Sequence, residues 1–159
     1  MDNKPSCTIL ALAKPREAGL VEALAKVWEP SVKATHHFLK QADFFEIRGQ
    51  IPALLREVDI LHAAFVDGEP RGFLGACENS LEMLFVDAGH LGKGIGKALV
   101  LRALDDLHAV HEKVLVSVNE QNEGAHAFYL RMGFRDTARS DTDGEGRAYP
   151  LVFMEHTCP

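Results

Sequence analysis

The sequence predicts an α/β fold in which helices cover a mixed sheet containing one parallel strand pair. Three observations lead there. Strand-like and helix-like apolar runs alternate in the order βααβββαβαββ along the 159 residues. The strand–helix–strand unit from Leu81 to Val118 requires two parallel strands joined by a right-handed crossover. Two strand-like runs flank Asp67-Gly68-Glu69-Pro70, a turn composition that reads as an antiparallel hairpin.

Thr8 to Leu12 is a short apolar run stopped by Ala13-Lys14-Pro15, and it forms the first strand. Leu20, Leu24 and Val27, with Ala23 and Trp28, then repeat at helical spacing. Pro30 is expected to end or kink this helix. Ala34 to Leu39 leads into a second helical region, Asp43 to Val58, which Gly49 and Pro52 interrupt. Ile60 to Val66 and Arg71 to Glu78 make the hairpin, and Leu81 to Val86 adds a third consecutive strand. From Gly94 the pattern turns helical, with Ile95, Leu99, Ala103, Leu107 and Val110 on one stripe of a helix reaching about His108. Val114 to Val118 alternates like a strand, and Asn122 to Met132 is a helix closed by Gly133. Phe134 to Ser140 and Pro150 to His156 are the last strands, around the polar loop Asp141 to Arg147. With no internal repeat and no polar linker, residues 1–159 are expected to form a single domain.

Composition narrows the class. A hydrophobic share of 47% with 25% charged residues describes a water-soluble globular chain. The longest apolar run, Ile9 to Ala13, is far short of a membrane span, and Met1-Asp2-Asn3-Lys4-Pro5 lacks the start of a secretory signal, so a cytoplasmic protein with no membrane partner is expected. The net charge of −6 argues against nucleic acid as a partner. Cys7, Cys77 and Cys158 make neither a paired framework nor a CxxC motif and read as plain thiols. His36-His37 and His108 with His111 lack the further ligands that zinc takes, so no metal is expected.

Chemistry is concentrated in two stretches. The first runs Leu84-Phe85-Val86-Asp87-Ala88-Gly89-His90-Leu91-Gly92-Lys93-Gly94-Ile95-Gly96-Lys97, a glycine-rich turn between a strand and a helix. Glycines let backbone approach a ligand closely, and the N–H groups at a helix start favour a phosphate, with Lys93 and Lys97 adding charge at that end. The spacing is not that of a Walker A loop, since three residues separate Gly92 from Gly96-Lys97 and Ala98 stands where a hydroxyl would hold magnesium. A GxGxxG dinucleotide fingerprint fails too, because Lys97 and Leu99 occupy the positions of its last glycine. In the second stretch, Asn122, Ala125 and Tyr129 are spaced by three and four residues, so an amide, a small residue and a phenol share one helical face.

On these motifs the sequence resembles the GNAT superfamily of acetyl-CoA-dependent N-acetyltransferases. The signature Arg or Gln followed by x-x-Gly-x-Gly or Ala is matched by Leu91-Gly92-Lys93-Gly94-Ile95-Gly96 except at Leu91. The pattern Asn-x-x-Ala-x-x-Phe-Tyr and then Gly-Phe is matched in full by Asn122, Ala125, Phe128, Tyr129, Gly133 and Phe134. The resemblance implies a mostly antiparallel mixed sheet with helices on both faces and one parallel, splayed central strand pair. It implies that acetyl-CoA is the co-substrate and a primary amine of a small molecule or protein the acceptor, and a homodimer is compatible with it. The pantetheine arm would lie along Leu84, Phe85 and Val86, and the pyrophosphate on Leu91 to Gly96 and Lys97, with Lys93 in the same turn. Asn122 would contact the cofactor near the splay, and Tyr129 would protonate the departing thiolate. The first two helices and the last hairpin would shape the acceptor site, which here points to Trp28, His36, His37 and Tyr149.

An alkylammonium with a pKa of ~10.4 must lose a proton before it attacks a thioester, at a cost of about 4.6 kcal/mol at pH 7. Glu82, with Glu78 behind it, is the carboxylate placed to accept that proton through a water. A non-catalytic acyl-CoA-binding sensor on the same fold is the alternative; it would not need an aligned phenol, so Tyr129 favours the enzyme.

Overall fold

The computed structural model describes residues 6–159. Its elements are β1 (Cys7–Ala11), α1 (Ala18–Thr35), α2 (Gln41–Glu57), β2 (Ile60–Val66), β3 (Glu69–Cys77), β4 (Ser80–Val86), α3 (Ile95–His108), β5 (Lys113–Asn119), α4 (Glu123–Arg131), β6 (Arg135–Ser140) and β7 (Leu151–Thr157), with a single 3-10 turn at Ala88–His90. The seven strands form one sheet in the order β1-β2-β3-β4-β5-β7-β6. Every neighbouring pair is antiparallel except β4 with β5, which is parallel. The predicted order and the mixed sheet are thus what the chain adopts.

Two helices run longer than their prolines suggest. In α1 the buried residues Val21, Leu24, Val27, Trp28, Ser31 and Val32 form one stripe, and Pro30 lies within the helix without ending it. Pro30 is exposed, so the carbonyl it leaves unpaired faces water while the packed stripe holds the helix together. α2 likewise continues through Gly49 and Pro52, anchored by Ile51 and Leu55. Val110 is a correction of another kind: it lies beyond the end of α3 and is 77% exposed, outside the stripe of Ile95, Leu99, Ala103 and Leu107 that is buried.

The sheet is packed on both sides. One core, including Leu24, Trp28, Leu55, Phe73 and Met83, lies under α1 and α2. The other, including Leu74, Leu99, Val100, Val114 and Met154, lies under α3. In β4 the register jumps, with Gly75 opposite Met83 and Ala76 opposite Leu81. Glu82 is the extra residue of a β-bulge, and strand parity changes across it. Leu81 joins the α3 core whereas Met83 joins the core under α1 and α2.

At the same place the parallel pairing stops. β4 and β5 pair only at Ser80 with Leu115 and Leu81 with Val116. Beyond that seam β4 continues with β3, and β5 with β7, as the two halves of the sheet diverge. The bulge adds twist where the seam opens.

Candidate active site

The glycine turn begins after the Ala88–His90 turn and feeds α3. Gly92 and Gly94 have φ of 74° and 84°, the left-handed region that side chains disfavour, and a Cβ on either would meet nothing within 4 Å. The turn is open on its outer side. Gly94 is the helix cap and supplies no side chain to it, and the first turn carries no acidic residue. The Ala98 N–H donates to the Gly94 carbonyl at 3.0 Å. The N–H groups of Ile95, Gly96 and Lys97 precede that bond and have no carbonyl behind them in the helix. A phosphate fits this cradle on both shape and charge.

The cradle forms one end of a cavity of about 560 Å³, lined also by Leu84, Phe85, Val86, Leu91, Asn122 and Phe128. That volume suits a cofactor-sized ligand. Lys97 lines it, whereas Lys93 is exposed in the same turn and lies outside the lining. Leu91 is 45% exposed and brings no charge. The neighbouring imidazole of His90 lines the cavity as well, with its Nδ1 2.8 Å from the Asp87 carboxylate.

A second cavity of about 170 Å³ occupies the opening between β4 and β5 and shares His36, Leu84, Phe85, Asn122, Ala125 and Phe128 with the first. Asn122, Ala125 and Tyr129 all line it, as their helical spacing requires. Asn122 caps α4, its Oδ1 accepting from the Ala125 N–H at 3.1 Å, so its NH₂ is the group left to donate outward. Tyr129 is 6% exposed, with its ring edge-on to Phe128 and Phe134. Burial pushes its phenol well above the ordinary pKa of tyrosine, which keeps it protonated at neutral pH. Glu82 lines the same cavity from the bulge and is exposed. Glu78 lies in the turn before β4, with φ of 52°, outside both cavities.

The acceptor-side residues divide. His36 lines both cavities, with Ser31 and Thr35 beside it in the larger one. His37 is exposed and lines neither. Trp28 does not reach a cavity: it is 2% exposed, stacked on Phe44 at 5.3 Å and edge-on to Phe85 at 6.2 Å, so it backs the cavity wall from within the core. Tyr149 is also buried. Its hydroxyl donates to the Asp43 carboxylate and accepts from the Lys40 N–H, which ties the last loop to the start of α2. Arg147 reinforces that tie through Asp43, Glu46, Asp143 and Glu145. Neither aromatic residue lines a cavity: stacking in the core engages Trp28, and hydrogen bonds engage the Tyr149 hydroxyl.

Sequence reasoning passed over His90, Ser31, Arg131 and Met132, which also line the larger cavity. Met132 was within reach of the pattern: Ala125, Phe128 and Met132 continue one helical face. His90 and Ser31 carried no comparable signal, since only the fold brings them to the glycine turn.

Comparison with known proteins agrees with this geometry. The family described as acetyltransferase (GNAT) domain matches residues 24–157. The peptidyl-lysine N-acetyltransferase YjaB of Salmonella typhimurium is 38% identical over 131 residues, covering 82% of this chain and 88% of that protein. The solution structure of apo-form YjaB from Escherichia coli superposes with a TM-score of 0.82 at 32% identity, covering 95% of this chain and 97% of the other. The PaiA N-acetyltransferase of Thermoplasma acidophilum, in complex with coenzyme A, gives a TM-score of 0.71 at 25% identity over 96% of this chain and 99% of that one. The protein described here belongs to the GNAT family of acetyltransferases and is an N-acetyltransferase, moving an acetyl group to an amine.

Proposed function

We propose that the acetyl donor is acetyl-CoA, the acceptor is the ε-amine of a lysine in a protein or peptide, and the two react directly in a ternary complex. The observation that carries this reading is the parting of β4 from β5 beyond Leu81 and Val116, beside an uncapped helix start and with Tyr129 in the wall. Coenzyme A in the related PaiA structure and the YjaB name support donor and acceptor respectively. A net charge of −6 suits a cationic acceptor.

The diphosphate rests on the N–H groups of Gly92 to Lys97, and the pantetheine arm runs along the freed edge of β4 at Leu84, Phe85 and Val86 toward the smaller cavity. There the thioester meets Tyr129. Glu82 draws the ammonium to the cavity mouth, where it gives up one proton to become the attacking amine. Attack of the amine on the carbonyl carbon places negative charge on its oxygen, which a main-chain N–H near Phe85 or Val86 stabilises. The C–S bond then breaks and the sulfur takes its proton from the Tyr129 hydroxyl. The burial that raises the phenol pKa also makes the thiolate a stronger base, so the transfer remains matched.

Purified protein with acetyl-CoA is expected to acetylate lysine peptides in preference to small amines such as aminoglycosides, as read by mass spectrometry. Acetylation confined to small amines would overturn the acceptor assignment. Acetyl-CoA is expected to raise the melting temperature of the wild type but not of Gly94→Trp or Gly96→Trp, whose side chains fill the cradle. Equal stabilisation of all three would place the ligand elsewhere.

A further inference from the structure

The last turn of α1 carries a hydrogen-bond chain that ends on the shared wall of the two cavities. Thr35 Oγ1–H donates to the Ser31 carbonyl at 2.8 Å, and the same oxygen lies 2.8 Å from His36 Nδ1. A hydroxyl has one proton to give. With that proton on Ser31, the second contact is a hydrogen bond only if His36 Nδ1–H donates to Thr35. The opposite assignment keeps one of the two bonds and loses the other. The chain therefore selects the Nδ1–H tautomer and leaves Nε2 with a bare lone pair.

The ring is also held in place. The His36 N–H donates to the Val32 carbonyl at 2.7 Å, and the imidazole is flanked by Phe38 at 5.4 Å and Phe85 at 6.3 Å. Burial, and secondarily His37, pulls its pKa below the ordinary histidine value, so it is neutral at pH 7. Catalysis of proton removal is most efficient when the base titrates near the working pH, and imidazoles as a class lie closer to neutrality than carboxylates.

We propose that His36 is the general base and Thr35 the residue that positions it, an assignment that rests on the acetyl-transfer reading above. Nε2 takes one proton from the acceptor ammonium. The resulting amine forms its N–C bond to the acetyl carbon, the C–S bond breaks, and Tyr129 protonates the sulfur. The acylated nitrogen returns its surplus proton to the Tyr129 oxygen through water, and His36 releases its own to solvent. The products are the amide, the free thiol and one proton. The titratable or charged groups lining the cavities with His36 are Glu82 from β4, His90 from the 3-10 turn, Lys97 from α3, and Tyr129 and Arg131 from α4, with His37 next in the chain.

The test combines kinetics with a readout that needs no turnover. In the full chain, His36→Gln is expected to lower kcat toward a lysine peptide on the order of 10²–10⁴-fold and to abolish the acidic limb of the kcat–pH profile. Its Kd for acetyl-CoA should stay within about threefold of wild type, because a base contributes to the transition state and not to donor binding. Glu82→Gln should instead raise KM and keep the acidic limb. Thr35→Val should lower kcat with His36 still present, and Thr35→Ser should restore it. Imidazole ¹⁵N spectra of the wild type should show His36 as the Nδ1–H tautomer. A retained kcat and acidic limb in His36→Gln, or an Nε2–H tautomer, overturns the proposal. Wild-type protein that transfers acetyl to no amine would sink the acetyl-transfer reading itself, whereas the nitrogen spectrum still decides whether Nε2 is bare.

Discussion

The halves of the sheet on either side of the β4–β5 seam are built differently. In β2 the residues Leu61, His62, Ala63 and Ala64 are buried in succession, and in β3 so are Phe73, Leu74, Gly75 and Ala76. Helices cover both faces there, which is what continuous burial requires. In β5 burial alternates, with Val114, Val116 and Val118 inside and Lys113, Leu115 and Ser117 exposed, and β6 is exposed from Arg135 to Arg139. Only one face of that half carries a core. A firmly packed half therefore presents the glycine turn, an open-faced half provides access, and a seam of two residue pairs joins them. The smaller cavity lies in the gap left where that seam ends.

Changes at the seam, in the packed half and in the open half should separate in kind and size. The largest effect is expected at the seam itself: Tyr129→Phe should reduce kcat on the order of 10²–10⁴-fold with little change in unfolding free energy. Steady-state kinetics together with denaturant unfolding would check it; an unchanged rate would remove the phenol from the chemistry. Leu74, fully buried in β3, should cost about 2–5 kcal/mol when replaced by Ala. Leu115, 39% exposed on the open face of β5, should cost less than about 0.5 kcal/mol on the same change. Equal costs would mean that the open face is covered in solution.

Acidity probes the two halves and the seam together. His62 in the packed half, His36 at the seam and His156 in the open half all have their pKa lowered, chiefly by burial. The unfolded chain then takes up protons first as pH falls. Stability is fully present above the ordinary histidine pKa and is lost below about pH 6.5, with a slope of at most about 1.4 kcal/mol per pH unit for a buried histidine and much less for the solvent-screened His156. Unfolding curves between pH 7.5 and 5 should show this slope, and His62→Gln should flatten part of it. At the α4 cap, Asn122→Ala should cost about 1 kcal/mol through loss of the bond to the Ala125 N–H, between the two leucine changes in size.

Much of the fold was legible because its signals are local. The Asp67-Gly68 turn, with φ of 52° and 80°, announces the hairpin, and the stripe from Ile95 to Leu107 announces α3. The helices through Pro30 and Pro52 were not legible, because propensity argued for a break and packing of the opposite face overruled it. Within the site, spacing alone aligned Asn122, Ala125 and Tyr129. It could not separate Trp28, which supports the wall from the core, from His36, which lines it, although the two are eight residues apart on the same segment.

The sequence by itself determined the order of elements, the glycine turn and the aligned phenol, since each depends on backbone conformation and side-chain period within a short stretch. The tertiary structure alone decided three things. It set the bulge at Glu82 that changes the facing of β4, the length of the seam between β4 and β5, and the placing of His36 on the wall shared by the two cavities. These depend on which strand lies beside which and on which helix packs over them, so no periodicity along the chain encodes them.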